Sequence, residues 1–160
     1  MIAFSTILAL PKHRRDLKTC AQWLARHLAE IGLHHVRVLP GINKGAPNIY
    51  ADWLLAPGKP TLLLYSHYDV QPVDPIQEWR APPFKARIIG DNLYARGVSD
   101  DQGQLFIHLK AIESYFLRKS TVEKYLKKGL LTLKWLRAKL HKGWKAPTNK
   151  ELFFAIAEFN

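Results

Sequence analysis

The pattern of apolar and polar positions predicts an alternation of helices and strands. Apolar residues recur at helical spacing over residues 15–32, which predicts an amphipathic helix. The sequences of residues 35–40 and 49–56 predict two strands bounded by turn residues. The apolar run TLLLYS, residues 61–66, has no polar face, and such a run predicts a central strand covered by helices on both sides.

The second half of this pattern predicts a loop, a hairpin and a helix. Residues 72–84 are rich in proline and predict a loop over the carboxyl end of the central strand. Residues 85–97 predict a hairpin with its turn near Asp91, and residues 102–117 predict a second amphipathic helix. Because strands alternate with helices, the sequence predicts an α/β layer fold.

The last quarter of the chain differs in charge from the rest. Residues 1–116 carry 13 Lys/Arg and 10 Asp/Glu, whereas residues 117–160 carry 11 and 3, so most of the net charge of +11 lies in this tail. Its apolar positions predict a basic amphipathic helix weakened by Gly129, followed by a short strand within residues 151–160. Binding of the tail to nucleic acid or an anionic membrane is therefore an alternative function, although the chain contains no nucleic-acid-binding motif.

Composition excludes several classes of protein. With 160 residues, 48% of them hydrophobic, the chain is long enough and apolar enough for a folded core. Cys20 is the single cysteine, which excludes an internal disulfide framework and favours a reducing, cytoplasmic location. The apolar start of the chain, residues 1–11, lacks a basic n-region and is too short to span a bilayer, so we expect a packed terminal segment.

His67 and Asp69 follow the predicted central strand directly. Ligands of open α/β sheets bind at the carboxyl ends of strands, so both side chains are candidate functional residues. A neutral imidazole at this place can bind zinc, and a nearby carboxylate fixes its tautomer. A simple hydrogen bond between the two side chains at the strand end is the alternative, because a His-x-Asp triplet alone has little specificity.

Asp100 and Asp101 form a second acidic cluster just before the second predicted helix. Adjacent carboxylates repel each other unless a cation or another positive group neutralises them, and divalent cations do this effectively. Gly97 and Gly103 on either side permit close approach of the backbone. Capping of the helix explains one of the two aspartates equally well.

Two motifs together resemble a known family. These are SHYDVQP, residues 66–72, and ARGVSDDQGQ, residues 95–104. Over residues 10–115 the chain resembles the N-terminal part of the di-zinc metallopeptidase family of aminoacylase, carboxypeptidase G, succinyl-diaminopimelate desuccinylase and dipeptidase or carnosinase, with the dipeptidase branch closest. The resemblance implies a mixed, mostly parallel sheet with flanking helices, and hydrolysis of small peptides or N-acyl amino acids.

The resemblance also implies roles for individual residues. His67 matches a zinc ligand, Asp69 the catalytic aspartate that orients it, and Asp100 the carboxylate that bridges two zinc ions. The peptide between Asp100 and Asp101 matches one that is cis in the family. Manganese or cobalt would also accept such nitrogen and oxygen ligands. Two aromatic residues of the proline-rich loop match a segment beside the family's site, although simple loop packing explains them as well: Trp79 and Phe84.

Other features of the family are absent from this sequence. The family's site needs a Glu-Glu pair, a further acidic ligand and a C-terminal histidine, but the chain contains no Glu-Glu dipeptide. Glu158 follows an apolar run but lies too far along the chain to replace the missing base. We therefore expect residues 1–116 to be part of a catalytic domain, and residues 117–160 to be an unrelated, replaced or frameshifted segment. The isolated chain is expected to be inactive, and an exposed sheet favours homo-oligomers.

Overall fold

The computed structural model describes residues 1–42, 45–127 and 151–156. Within these residues, helices α1 (Arg14–Glu30) and α2 (Gln102–Lys127) accompany six strands. The strands are β1 (His34–Leu39), β2 (Asn48–Trp53), β3 (Thr61–Ser66), β4 (Arg87–Ile89), β5 (Asn92–Tyr94) and β6 (Glu151–Ile156). This mixed α/β arrangement confirms the predicted fold class. Neither helix, within the described residues, combines the length and apolar character that a membrane span requires.

Helix α1 buries the face that its sequence pattern predicts. Its buried side chains recur at helical spacing: Leu17, Cys20, Ala21, Leu24 and Leu28. Gly32 follows with a positive φ of 98°, a conformation that glycine adopts without steric cost, and the chain turns there into β1. The helix therefore ends at Glu30, two residues before the predicted limit at residue 32.

The larger sheet has the strand order β1-β2-β6-β3. β1 and β2 are antiparallel, β2 and β6 are antiparallel, and β3 and β6 are parallel. The predicted parallel majority is thus absent among these strands. The segment between β1 and β2, residues 40–47, is too short for the crossover that parallel neighbours need, so these two strands pair as a hairpin. The predicted final strand is present as β6.

β3 does not occupy the central position that its apolar run predicts. It lies at the edge of the described sheet, and Leu62 and Leu63 are exposed on opposite faces, whereas Ser66 at its end is buried. An apolar run shows that a strand is hydrophobic, but it does not show which strands lie next to it. Pairing between segments that are distant along the chain decides the strand order. The exposed leucines make this edge a candidate surface for self-association.

Both helices and β2 share one hydrophobic core. Buried residues of the two helices pack with Ile49, Ala51 and Trp53 of β2, and the rings of Trp53 and Phe116 lie 5.4 Å apart. α2 continues past residue 117 to Lys127, and the remainder of the predicted basic helix, residues 128–145, lies outside the described residues. The division into residues 1–116 and 117–160 stays a prediction.

The predicted hairpin and loop lie between β3 and α2. β4 and β5 pair in antiparallel orientation with Ile89 opposite Asn92, which confirms the turn near Asp91. The proline-rich loop before them is held by two contacts of Trp79. Its indole Nε1 donates to the carbonyl oxygen of Val73 at 2.9 Å, and the guanidinium of Arg96 lies 4.9 Å from its ring centroid.

Candidate metal site

The end of β3 and the start of α2 bring two predicted site residues together. Nε2 of His67 lies 3.2 Å from Oδ1 of Asp100. The His67 side chain is 18% exposed and the Asp100 side chain 80% exposed, so the pair opens to solvent on the side of the carboxylate. The peptide between Asp100 and Asp101 is cis, as the resemblance implies. The structure therefore joins the two motifs into one cluster.

The opposite edge of the His67 ring faces Asp69. Nδ1 of His67 lies 3.2 Å from the backbone carbonyl oxygen of Asp69 and 3.2 Å from its carboxylate Oδ1. A carbonyl oxygen only accepts hydrogen bonds, so Nδ1 carries a proton and donates it. In the neutral ring Nε2 is then the unprotonated nitrogen, which can accept a hydrogen bond or bind a metal ion. Asp69 thus contacts His67 as an orienting residue would.

When Nδ1 carries the proton, the lone pair of His67 Nε2 faces a lone pair of Asp100 Oδ1. Nε2 of a neutral His67 and an ionised Asp100 Oδ1 are both acceptors, so their contact is favourable only with a proton or a cation between them. Two donors of one tetrahedral zinc ion lie about 3.3 Å apart, because each is about 2.0–2.1 Å from the metal. The observed separation of 3.2 Å agrees with that spacing. The donor types and their distance therefore fit a divalent metal ion.

Asp69 is a buried carboxyl. Burial raises the pKa of this carboxyl, the charge of His67 acts in the opposite direction, and Asp100 raises it slightly. Although Oδ1 is close to Nδ1 of His67, no group of the described residues makes a well-oriented hydrogen bond to this buried oxygen. The carboxylate therefore contributes mainly its charge, while the backbone carbonyl of the same residue accepts the hydrogen bond.

Asp101 contacts the backbone just after the end of β3. Its Oδ2 accepts a hydrogen bond from the backbone N–H of His67 at 3.0 Å. Gly97 lies next to Val70 and Gln102 with φ of 82°, and a Cβ atom there would be 2.8 Å from Cγ1 of Val70. The close approach of these two segments therefore requires glycine at this position.

The cluster does not amount to a closed metal centre. Within the described part of the chain, no group of three or more His, Cys, Asp or Glu side chains is placed to hold a metal ion. His108 lies within α2 and is half-buried, while His141 and Glu158 lie outside the described residues. Structural zinc sites usually have about four protein ligands and catalytic ones about three, so two donors are an incomplete set.

Two buried polar residues of the site carry no distinctive sequence signal. Thr6 and Gln102 are almost fully buried and hydrogen-bond to each other and to the backbone between His67 and Asp69. Thr6 lies in an apolar terminal segment, and Gln102 begins an amphipathic helix. The family motif that contains Gln102 was the only sign in the sequence that this residue lies near the site. No local pattern pointed to Thr6.

Comparison with known families bears directly on this cluster. A family model described as peptidase family M20/M25/M40 matches residues 63–123, which contain both His67 and Asp100. Residues 63–123 are thus similar to peptidase family M20/M25/M40. The M20 match also includes the hairpin and the first part of α2, so it extends past the domain boundary predicted at residue 116.

Two relatives of known type are similar to the M20 segment and its surroundings. A cysteinylglycine-S-conjugate dipeptidase of Corynebacterium striatum is 32% identical over 104 residues, which are 65% of this chain and 22% of that protein. A succinyl-diaminopimelate desuccinylase of Azoarcus sp. (strain BH72) is 33% identical over 96 residues, or 60% of this chain and 24% of that protein.

A solved M20 structure has the same fold. An M20 family metallo-carboxypeptidase from Sulfolobus solfataricus aligns with 97% of this chain and 28% of its own chain, with a TM-score of 0.65 and 29% sequence identity. The chain thus spans about a quarter of the length of the relatives that it matches. The recognition of the family's N-terminal part is confirmed.

Proposed function

We propose that residues 63–123 supply His67 and Asp100 as ligands of a metal centre in a hydrolase of peptide or N-acyl amide bonds. The contact of 3.2 Å between Nε2 of His67 and Oδ1 of Asp100 carries this proposal, because the two acceptor atoms need a cation or a proton between them. The names of the relatives, a dipeptidase and a desuccinylase, support the substrate class.

Zinc is the metal that we propose, with manganese or cobalt as substitutes. A metal ion held by His67 and Asp100 would supply a bound water of lowered pKa and a Lewis acid for the carbonyl group of the substrate. His67 would present Nε2 to the metal, while Asp69 holds the proton of Nδ1 on the opposite edge of the ring. Asp100 would provide the carboxylate, and its exposure leaves room for a second cation.

The same donor count leads us to propose that these 160 residues alone do not hydrolyse peptides appreciably. Two protein donors hold zinc weakly, and no Glu-Glu pair is present in the sequence to supply a general base and a further ligand. General-base catalysis contributes typically about 10²–10⁴-fold to the rate, so its loss would be decisive. Additional groups from outside these 160 residues would then be needed for turnover.

Zinc titration of the purified chain tests the metal site. We expect binding that is weakened about tenfold or more by His67→Ala or Asp100→Asn, because each variant removes one of the two donors. His108→Ala is the matched control, since this half-buried histidine lies within α2 outside the cluster. Equal zinc affinity of wild type and His67→Ala would refute the site.

Dipeptide hydrolysis in the presence of zinc or manganese tests the proposed inactivity. We expect no turnover above the background of buffer and metal. Turnover that disappears in His67→Ala would show instead that the chain is active on its own. This outcome would support the metal site while overturning the argument from the missing glutamates.

Other expectations remain predictions. The alternative function, binding of anionic membrane or nucleic acid by the basic tail, concerns residues 117–160, most of which lie outside the described residues. Its test is salt-dependent retention on anionic vesicles or DNA that is lost on deletion of residues 118–160. A cytoplasmic location, the replaced origin of the tail and homo-oligomer formation stay predictions as well.

A further inference from the structure

We propose that Thr6, Asp101 and Gln102 form a clamp on the backbone of residues 67–70 and so set the distance between His67 and Asp100. This inference rests on the proposed metal site. The three residues act through His67 and Asp100 and are therefore positioning residues, not ligands. Their hydrogen bonds reach three backbone groups of the segment that carries His67 and Asp69.

The helix side of the clamp consists of two consecutive side chains. Asp101 Oδ2 accepts from the backbone N–H of His67 at 3.0 Å, and Gln102 Nε2 donates to the carbonyl oxygen of Tyr68 at 2.9 Å. Both side chains follow Asp100 directly along the chain. The same two contacts therefore fix the backbone of His67 and the position of Asp100 relative to it.

The N-terminal segment forms the other side. The hydroxyl of Thr6 donates to the Tyr68 carbonyl oxygen at 2.7 Å, and the Thr6 carbonyl oxygen accepts from the backbone N–H of Val70 at 2.9 Å. Gln102 Nε2 also donates to Thr6 Oγ1 at 2.9 Å, which connects the two sides. Ile7 and Val70 form a parallel β-bridge that continues this contact.

The burial of Thr6 and Gln102 makes the loss of their hydrogen bonds costly. Thr6 is fully buried and Gln102 is 1% exposed, so water cannot replace a lost partner at low cost. Removal of the Gln102 amide would take one donor from the Tyr68 carbonyl oxygen and one from Thr6 Oγ1. The segment would then relax away from α2, and His67 would lose its fixed direction toward Asp100.

Zinc affinity is the first readout of the clamp. Gln102→Met keeps the length of the side chain but removes its amide, and Thr6→Val keeps the shape but removes the hydroxyl. We expect either variant to weaken zinc binding about tenfold or more, as changes beside metal ligands commonly do. Thr6→Ser retains the hydroxyl and should bind zinc nearly as well as the wild type.

Amide hydrogen exchange without metal is the second readout. We expect faster exchange at the N–H groups of His67 and Val70 in both variants, with protection retained at Leu24 in the middle of α1. Cys20→Ser is the control for general destabilisation, because it places a hydroxyl on the buried face of α1, away from the site. It should lower the melting temperature and leave the zinc affinity unchanged.

The outcomes separate this inference from the proposed function. Faster exchange with unchanged zinc affinity would overturn this inference, because the clamp would then stabilise the backbone without affecting the metal site. An equal loss of zinc affinity in Cys20→Ser would also overturn it, because the loss would then reflect general destabilisation. Unchanged exchange at His67 and Val70 in Gln102→Met would overturn it whether or not zinc binds. Zinc binding of the wild type that does not depend on His67 would instead overturn the metal site. If Gln102→Met fails to fold, zinc affinity and amide exchange of Thr6→Val decide whether this inference holds.

Discussion

Asp52→Asn is expected to destabilise the fold, because Asp52 is a nearly buried carboxylate held by two side-chain donors. Its side chain is 4% exposed, and Nδ1 of His35 lies 2.9 Å from both of its oxygens. The hydroxyl of Tyr50 donates to Oδ2 at 2.8 Å. An asparagine has one neutral acceptor oxygen in place of two charged ones, so it cannot accept both bonds equally well.

The magnitude follows from the number of bonds and their exposure. A hydrogen bond to a charged group contributes about 1.5–3 kcal/mol to the free energy of unfolding. The His35 side chain is 66% exposed, so water compensates for much of its lost contact. We therefore expect Asp52→Asn to lower the free energy of unfolding by about 1–3 kcal/mol at pH 7.

The effect should depend on pH in a defined direction. Burial by itself raises the pKa of Asp52, but the hydrogen bonds from His35 and Tyr50, with the charges of His35 and His34, bring it below its ordinary value. A carboxyl whose pKa is lower in the folded state stabilises the fold above its unfolded pKa, near about 3.9, and loses this contribution as pH falls through the folded value. The difference between wild type and variant should therefore shrink below about pH 4.

Urea unfolding monitored by tryptophan fluorescence between pH 7 and pH 3 measures both effects. Asp16→Asn is the matched control, because Asp16 also pairs with a histidine, His13 at 3.0 Å, but its side chain is 42% exposed. We expect this control to change stability by less than about 1 kcal/mol. Identical free energies and identical pH profiles for wild type and Asp52→Asn would refute the reasoning.

Three further predictions concern the core, the site and the sheet edge. Burial raises the pKa of Cys20 to about 12, so a thiol reagent at pH 8 should label it slowly in the native chain and rapidly in urea; equal rates would contradict its burial. Gly97→Ala should destabilise the chain by about 1–3 kcal/mol and weaken zinc binding, since its Cβ would clash with Val70, and unchanged urea and zinc titrations would argue against this. Leu63→Lys should reduce concentration-dependent self-association in sedimentation velocity, because it places a charge on the exposed edge strand, and an unchanged distribution would exclude that surface.

Local patterns in the sequence predicted individual elements well. The helical spacing of apolar residues located α1 and the buried face it presents, and glycine at position 90 with its polar neighbours located the hairpin turn. These features depend on residues close together along the chain. Sheet order depends on pairing between distant segments, so the apolar run of β3 predicted a strand but not its edge position.

The candidate site was predictable only in part for the same reason. His67 and Asp100 are 33 residues apart, and their contact followed from the rule for strand ends together with the family motifs. Thr6 and Gln102 are 96 residues apart and show no periodicity, charge or spacing that distinguishes them from ordinary polar residues. Buried hydrogen bonds between such distant residues become visible only when the chain is folded.

The clamp and the metal site together account for an otherwise unfavourable contact. Two acceptor atoms of His67 and Asp100 face each other across 3.2 Å, although nothing in their own chemistry draws a neutral ring to a carboxylate in this orientation. The hydrogen bonds of Asp101 and Gln102 to the backbone of residues 67–68 hold them there. Because the fold has already oriented both donors, a cation that binds between them gains two ligands with little rearrangement. This preorganisation of both donors by backbone hydrogen bonds would thus favour metal binding in a cluster with only two donors.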